Sequence, residues 1–285
     1  MSLTYPIILN KSHYVGGSTY RYKFGTSVDM GAVSVALSSC TIYYSWRNIT
    51  SLKNNNQFSI IHPATLATNV TLDITIPDGG YEIADINNYL KWYLITNGYY
   101  IQNTATGDQT VYCEFRINAS TYQVEFVSYP MPTSLPSGYT AGSAITFPST
   151  TRAPQLTISQ ANFGTLVGFT IGVYPNIQST TITTSGSTVT PVVTDVNNVV
   201  MTLNSALNPF APNSTVIHSF SQSGVKYGGL INSAPNELSF VPQQQGFRQE
   251  LTIQLCDQLL QPLNIIDSDV TIKLLLRKEL VNAIY

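Results

Sequence analysis

Apolar side chains occupy alternate positions at Val33, Val35 and Leu37, and the alternation resumes with opposite parity at Ile42, Tyr44 and Trp46. A period of two marks a strand with one buried face, and the change of parity predicts a bulge or bend near Ser38 to Cys40. Val70, Leu72, Ile74 and Ile76 alternate with Thr71, Asp73 and Thr75 in the cleanest strand of the chain. Pro77, Asp78, Gly79 and Gly80 end it in a turn whose glycines permit positive φ. Val111, Cys113, Phe115 and Ile117, then Tyr122, Val124 and Phe126, predict a hairpin that turns over Asn118 to Thr121. Leu251, Ile253 and Leu255, then Val270, Ile272, Leu274 and Leu276, give two closing strands. A single segment breaks the strand pattern: Ile83, Ile86, Leu90 and Tyr93 repeat at helical spacing, with Asn97 and Gly98 as a stop. This helix is expected to lie across the mouth or edge of a sheet.

Many short strands separated by turn signals, with one helix, predict an all-β fold, a single jelly-roll: a two-sheet antiparallel β-sandwich with one helix in a loop and a long loop-rich insertion. A chain of 285 residues accommodates this as one domain over 1–285. Residues 1–20, with Pro6, Gly16 and Gly17, read as an extended N-terminal arm that needs a neighbouring surface to be ordered. Residues 129–215 are punctuated by Pro130, Pro132, Pro136, Gly138, Gly142, Pro148 and Pro154, then by a Thr/Ser run from Ser179 to Thr190. They read as loop-rich excursions within the sandwich.

Charge changes the picture. Charged residues are 10% of the chain, against roughly 25% in an average soluble domain, while tyrosines number 18. Interface cores are depleted in charge and enriched in aromatics, so the composition fits a surface buried in an assembly; a surface covered by Ser, Thr, Asn and Gln fits it equally. A net charge of -2 with no basic stripe argues against specific nucleic-acid binding. The sequence is read as having no signal peptide and no membrane span. Cys40, Cys113 and Cys256, odd in number and each in an apolar segment, are expected to be buried free thiols in a reducing compartment. Sequons at Asn10, Asn48, Asn69, Asn118 and Asn213 are read as chance matches in an Asn/Ser/Thr-rich chain.

The search for chemistry yields little. His13, His62 and His218 lack metal-ligand spacing, and no nucleotide, dinucleotide or nucleophile-elbow motif occurs, so no cofactor, metal or catalytic residue is assigned. Glu114 and Glu125, on adjacent predicted strands with Arg116 nearby, resemble the carboxylate pair of a glycosidase, and equally a cross-strand salt-bridge pattern. Trp46 and Trp92 could stack on sugars in a carbohydrate- or receptor-binding module, although their patterned segments favour packing.

Several segments, in order along the chain, carry a resemblance. They are Tyr20-Arg21-Tyr22-Lys23-Phe24; Ile42-Tyr43-Tyr44-Ser45-Trp46 with Asn48-Ile49; and Thr75-Ile76-Pro77-Asp78-Gly79 leading into Asp85-Ile86-Asn87. Asn162-Phe163-Gly164-Thr165-Leu166 with Gly168-Phe169, and Cys256-Asp257-Gln258 with Pro262-Leu263, complete the set. Together they resemble the penton, or minor capsid, proteins of the virophage, Polinton and adintovirus-like group of double-stranded DNA viruses. The resemblance implies a non-enzymatic capsid protein of the virion. It implies a homopentamer at the icosahedral five-fold vertex that touches trimers of the major capsid protein. The arm at the N-terminus and the residues after Arg277 are the expected contacts to neighbouring capsomers or the shell interior. The alternative is a carbohydrate- or receptor-binding β-sandwich module, spike-like or lectin-like.

Overall fold

The computed structural model describes residues 2–209 and 215–279. The chain opens with β1 (Ser2–Leu9), β2 (Tyr14–Gly16), β3 (Thr19–Asp29) and β4 (Val33–Tyr43). Its middle contains β5 (Gln57–Pro63), β6 (Asn69–Thr75), α1 (Ile83–Thr96), β7 (Ile101–Asn103), β8 (Gln109–Thr110), β9 (Cys113–Asn118) and β10 (Gln123–Ser128). There follow β11 (Tyr139–Ala141), β12 (Gln155–Ile158), α2 (Ala161–Val167), β13 (Gly172–Tyr174) and β14 (Thr183–Gly186). The last group is β15 (Val199–Leu203), β16 (Val216–Phe220), β17 (Leu230–Ser233), β18 (Val241–Pro242), β19 (Phe247–Cys256) and β20 (Thr271–Glu279). These elements form two compact units, Met1–Trp46 with Val196–Tyr285, and Arg47–Asp195.

In the first unit one sheet has the order β1-β20-β4-β17, with β18 also on β4, and the other has the order β16-β15-β19-β3-β2. All of these pairs are antiparallel. Setting aside the two shortest strands, β2 and β18, the first, eighth, third and sixth strands in chain order form one sheet. The fifth, fourth, seventh and second form the other. That interleaving is the jelly roll, two Greek keys wound together. Each sheet contributes one face to a shared core: Ile7, Leu9, Val35, Leu37, Ile42, Ile272 and Leu274 from one, Tyr20, Met201, Leu203, Leu251, Ile253 and Leu255 from the other.

The predicted bulge is present. Leu274 pairs with Leu37 and Lys273 with Ser39, so β4 carries Ser38 as an extra residue. That residue shifts the parity, which lets Leu37 above it and Cys40 and Ile42 below it all face the core. The N-terminus differs from the expected arm. Its first strand pairs along its length with β20, Ser2 opposite Glu279 and Leu9 opposite Ile272, so the chain's own sheet orders it.

The second unit is also a sandwich. Its larger sheet has the order β13-β12-β5-β6, and it faces β14-β10-β9. Between them lie Phe58, Ile60, Leu72, Ile74, Leu156 and Ile158 from one side and Cys113, Phe115, Val124 and Phe126 from the other. Phe58 stacks on Phe163 at 5.0 Å, and Phe115 meets both Phe58 and Phe126 edge-on at 5.6 and 5.3 Å. Each such aromatic pair adds about 0.5–1.5 kcal/mol beyond the area it buries.

The predicted helix is α1, which buries Ile83, Ile86, Leu90 and Leu94. It closes two sheet edges with its side chains. On one flank Asn87 Oδ1 accepts the amide of Phe115 in β9. On the other, the Tyr89 and Tyr93 hydroxyls donate to the carbonyls of Thr75 and Asp73 in β6. Unpaired backbone groups at a sheet edge invite another strand, and here residues one helical turn apart satisfy them. The turn after β6 departs from expectation. Gly79 has no positive φ but forms an antiparallel bridge with Ile49, its amide 2.9 Å from the Ile49 carbonyl.

The boundaries read from the sequence also change. One domain over 1–285 with excursions over 129–215 becomes a jelly roll with a contiguous second unit, Arg47–Asp195, between its third and fourth long strands. The reason is that β5, β6, β9 and β10, counted as sandwich strands, bury their apolar faces against one another in a separate core. Within 129–215 the apolar pieces are β11 to β15 and α2, and Phe163, Leu166 and Val167 of α2 belong to that core.

Candidate functional site

Glu114 and Glu125 do come to one face of the β9–β10 hairpin, on which Arg116 lies directly opposite Glu125 and Glu114 opposite Val127. Arg116 Nε is 2.6 Å from Glu125 Oε2, and Asn118 Nδ2 donates to Glu125 Oε1 at 2.8 Å. Glu114 Oε1 accepts the Tyr129 hydroxyl at 2.7 Å, and Oε2 lies 3.2 Å from Lys91 Nζ on α1. Partial burial pushes the Glu114 carboxyl up, but the Tyr129 and Lys91 hydrogen bonds outweigh it and the net shift is downward. Hydrogen bonds from Asn118 and Arg116 hold Glu125 below the ordinary carboxylate range. A glycosidase acid must keep its proton near neutral pH. Both carboxylates are tuned the other way, and the cross-strand ion-pair pattern describes them.

A cleft of about 220 Å³ opens beside this network, lined by Lys91, Ile95, Gln109, Thr110, Cys113, Glu114 and Tyr129 among others. Lys91 and Glu114 neutralise one another there. A larger cleft of about 450 Å³ lies by Asn48, Leu52, Lys53, Asn162, Val192 and Asp195. At its margin Lys53 and Asp195 form an ion pair, and Asn48 Nδ2 donates to the carbonyls of Tyr81 and Val193 at 2.7 Å each. The two ends of the second unit are thereby tied together.

The remaining candidates are placed apart. His13 accepts the Asn10 amide and stacks on Tyr22, His62 is buried with Nδ1 3.0 Å from the Pro63 carbonyl, and His218 contacts Ser233. Among the described residues no group of three His, Cys, Asp or Glu is arranged to hold a metal ion. All three cysteines are free and buried, and burial pushes the Cys40 and Cys113 thiols up to about 12. Among the sequons, Asn48 is buried with both side-chain hydrogens engaged, Asn69 accepts from Arg152 and Gln178, and Asn213 lies outside the described residues. Trp46 is a core residue, whereas Trp92 is 55% exposed on α1. No described helix is long and apolar enough to cross a membrane.

What the molecule offers to a partner is surface. All five cations of the second unit, Arg47, Lys53, Lys91, Arg116 and Arg152, are engaged internally. Arg152, which no sequence pattern singles out, holds the β5–β6 loop without a carboxylate. Its guanidinium donates to the carbonyls of Ala64, Leu66, Ala67 and Thr68 and to the side chains of Asn69 and Gln178. Large apolar residues are left in solvent, among them Leu52 at 90%, Phe247 and Ile177 at 76%, and Leu3, Tyr5 and Ile8 of β1.

These features define an all-β jelly-roll protein with an inserted second sandwich and a surface poor in free charge. No protein-family model matches the sequence, and no curated protein matches it. Among solved structures the chain is similar to the mavirus penton protein, with a TM-score of 0.45 and 10% identity over 98% of each chain. It is also similar to a chain of the Sputnik virophage structure, with a TM-score of 0.37 and 10% identity over 97% of each chain. No residue role is carried across from either.

Proposed function

We propose that this chain is a structural subunit of a viral capsid, a penton protein that forms homopentamers at five-fold vertices against trimers of the major capsid protein, and that it catalyses no reaction. Its place is then the virion shell. The observation that carries the reading is a jelly roll that keeps Leu3, Tyr5, Ile8, Leu230 and Phe247 exposed while spending few charges on its surface. A protein that works alone uses interspersed charges to keep copies apart. Burying a charge at an interface costs several kcal/mol unless it is well paired, so a charge-poor surface favours assembly.

Light scattering over a concentration series, with negative-stain images of the largest species, tests this. Five-membered rings are the expected result. A strict monomer that also fails to co-assemble with a major capsid protein would overturn it.

A second reading has its own observation, the cleft at Lys91, Glu114 and Tyr129. An ion-paired ammonium and carboxylate present no net charge to a simple ion but offer donors and acceptors to a neutral polyhydroxylated ligand. The second unit would then bind a glycan. A glycan array with no binding dismisses that reading and leaves the capsid role standing.

A further inference from the structure

The sheet edges of the jelly roll are not treated alike. Beyond the short β2, the edge of one sheet is β3, which carries Arg21, Lys23 and Asp29, the kind of charge that discourages an incoming strand. The first strand of the other sheet has no such protection. It is eight residues long, contains no Asp, Glu, Lys or Arg, and pairs on one side only among the described residues. Ser2 to Pro6 are all exposed, and Leu3, Tyr5 and Ile8 are 43%, 54% and 53% exposed. Pro6 has no N–H to give to β20, so its nitrogen faces the free edge. By the two-residue repeat of a strand, the amides of Thr4 and Ile8 face the same way. Among the described residues, two outward donors without a strand partner therefore flank one proline on an uncharged edge.

A matching surface exists on the same molecule. At the far side of the sandwich the edges are β17 (Leu-Ile-Asn-Ser) and β16 (Val-Ile-His-Ser-Phe), again without Asp, Glu, Lys or Arg, and Leu230 is 50% exposed. Across the core, β1 lies opposite β3 and β16 opposite β4, so the uncharged long edge and the uncharged short edges are on opposite sides of one jelly roll. A head-to-tail ring needs two different, mutually compatible sides on each copy. An isologous pairing of β1 with β1 would instead bring two copies of Pro6 to the shared edge.

We infer that the free edge of β1 is an assembly contact and that its partner is a second copy of this chain, presenting the side that carries β16 and β17. The inference rests on the ring proposed above. In the assembled protein the Thr4 and Ile8 amides are hydrogen-bonded across the boundary, and Leu3 and Tyr5 are covered.

Two variants test it alongside the unaltered protein. Thr4→Pro removes an outward donor and leaves the pairing with β20 intact. The variant is expected to keep the circular dichroism and melting temperature of the monomer, while assembly shifts to roughly tenfold higher concentration. Thr4→Cys with Asn232→Cys is expected to give, on mild oxidation, a ladder of cross-linked species that ends at the closed ring. The native cysteines are buried and do not compete. Thr4→Cys alone is expected to stay uncross-linked. Rings of five with Thr4→Pro assembling at the unaltered concentration overturn the β1 contact and leave the pentamer intact. Dimers from Thr4→Cys alone overturn the head-to-tail geometry. Unaltered protein that stays monomeric throughout, with a major capsid protein added as well as alone, overturns both the ring and its contact.

Discussion

The amide of Phe115 donates to Asn87 Oδ1 at 2.9 Å, so one side chain of α1 replaces the strand that β9 lacks on that edge. Replacing Asn87 with Ala leaves a part-buried N–H without its acceptor, at a cost of about 1–3 kcal/mol. Urea unfolding followed by the fluorescence of the second unit should show a lower midpoint. Hydrogen exchange at Phe115 should speed up more than at Val124, whose amide is held by Ser187.

Arg152→Met removes six donated hydrogen bonds and leaves four carbonyls of the β5–β6 loop without the guanidinium. A loss of about 2–3 kcal/mol is expected, because bonds from a charged donor are the stronger kind. Arg152→Lys should recover only part of it, since an ammonium cannot span the fork. Limited proteolysis should cut between Ala64 and Asn69 in the Met variant before it cuts elsewhere.

Leu66 holds φ at 60° while its side chain is 68% exposed, so this leucine occupies the left-handed region without burial to offset it. Leu66→Asn suits that backbone better and is expected to raise stability by roughly 0.5–1 kcal/mol. Thermal melts of the two proteins at one pH decide the matter.

Burial lowers the pKa of His62 from its ordinary 6.5 to about 4, against a smaller opposing effect of its bond to Pro63. The folded protein therefore binds this proton less readily than the unfolded chain. The stabilisation is complete above pH 6.5 and is lost as the pH falls toward 4, a decline on the order of 3 kcal/mol. Chemical denaturation at pH 7, 6 and 5 should trace it. His62→Gln should flatten the slope over that window.

The long strands could be read from the sequence because a strand with one buried face needs only alternation, and Val33 to Trp46 showed even the bulge through its change of parity. The helix was equally plain, although Tyr93, counted with its apolar face, turns to bond Asp73 and leaves the buried position to Leu94. Periodicity tells which face of a strand is buried but not which strands share a core, so the division at Arg47 and Asp195 was hidden. β1 reads as part of an arm because Pro6, Gly16 and Gly17 punctuate residues 1–20, although Leu3, Tyr5, Ile7 and Leu9 alternate as a strand requires. α2 leaves no legible helical period, because its seven residues are interrupted by Gly164. Its stop was visible in Gly168, which has φ of 78° as the C-cap. Arg152 and Asn87 act by bonding backbone groups far along the chain, which no local spacing reports.

The bonds that join Asn48 to Val193 and Lys53 to Asp195 hold the start and finish of a unit of 149 residues side by side. For the jelly roll, linking its third long strand to its fourth through such a unit should cost the entropy of closing a short hairpin loop rather than a very long one. The second unit is in that sense a cassette. A few linking residues, or an unrelated sandwich with equally close ends, could stand in its place while β4 keeps its pairing with β20 and β15 its pairing with β19, so that the inserted sandwich can be exchanged without rebuilding the jelly roll.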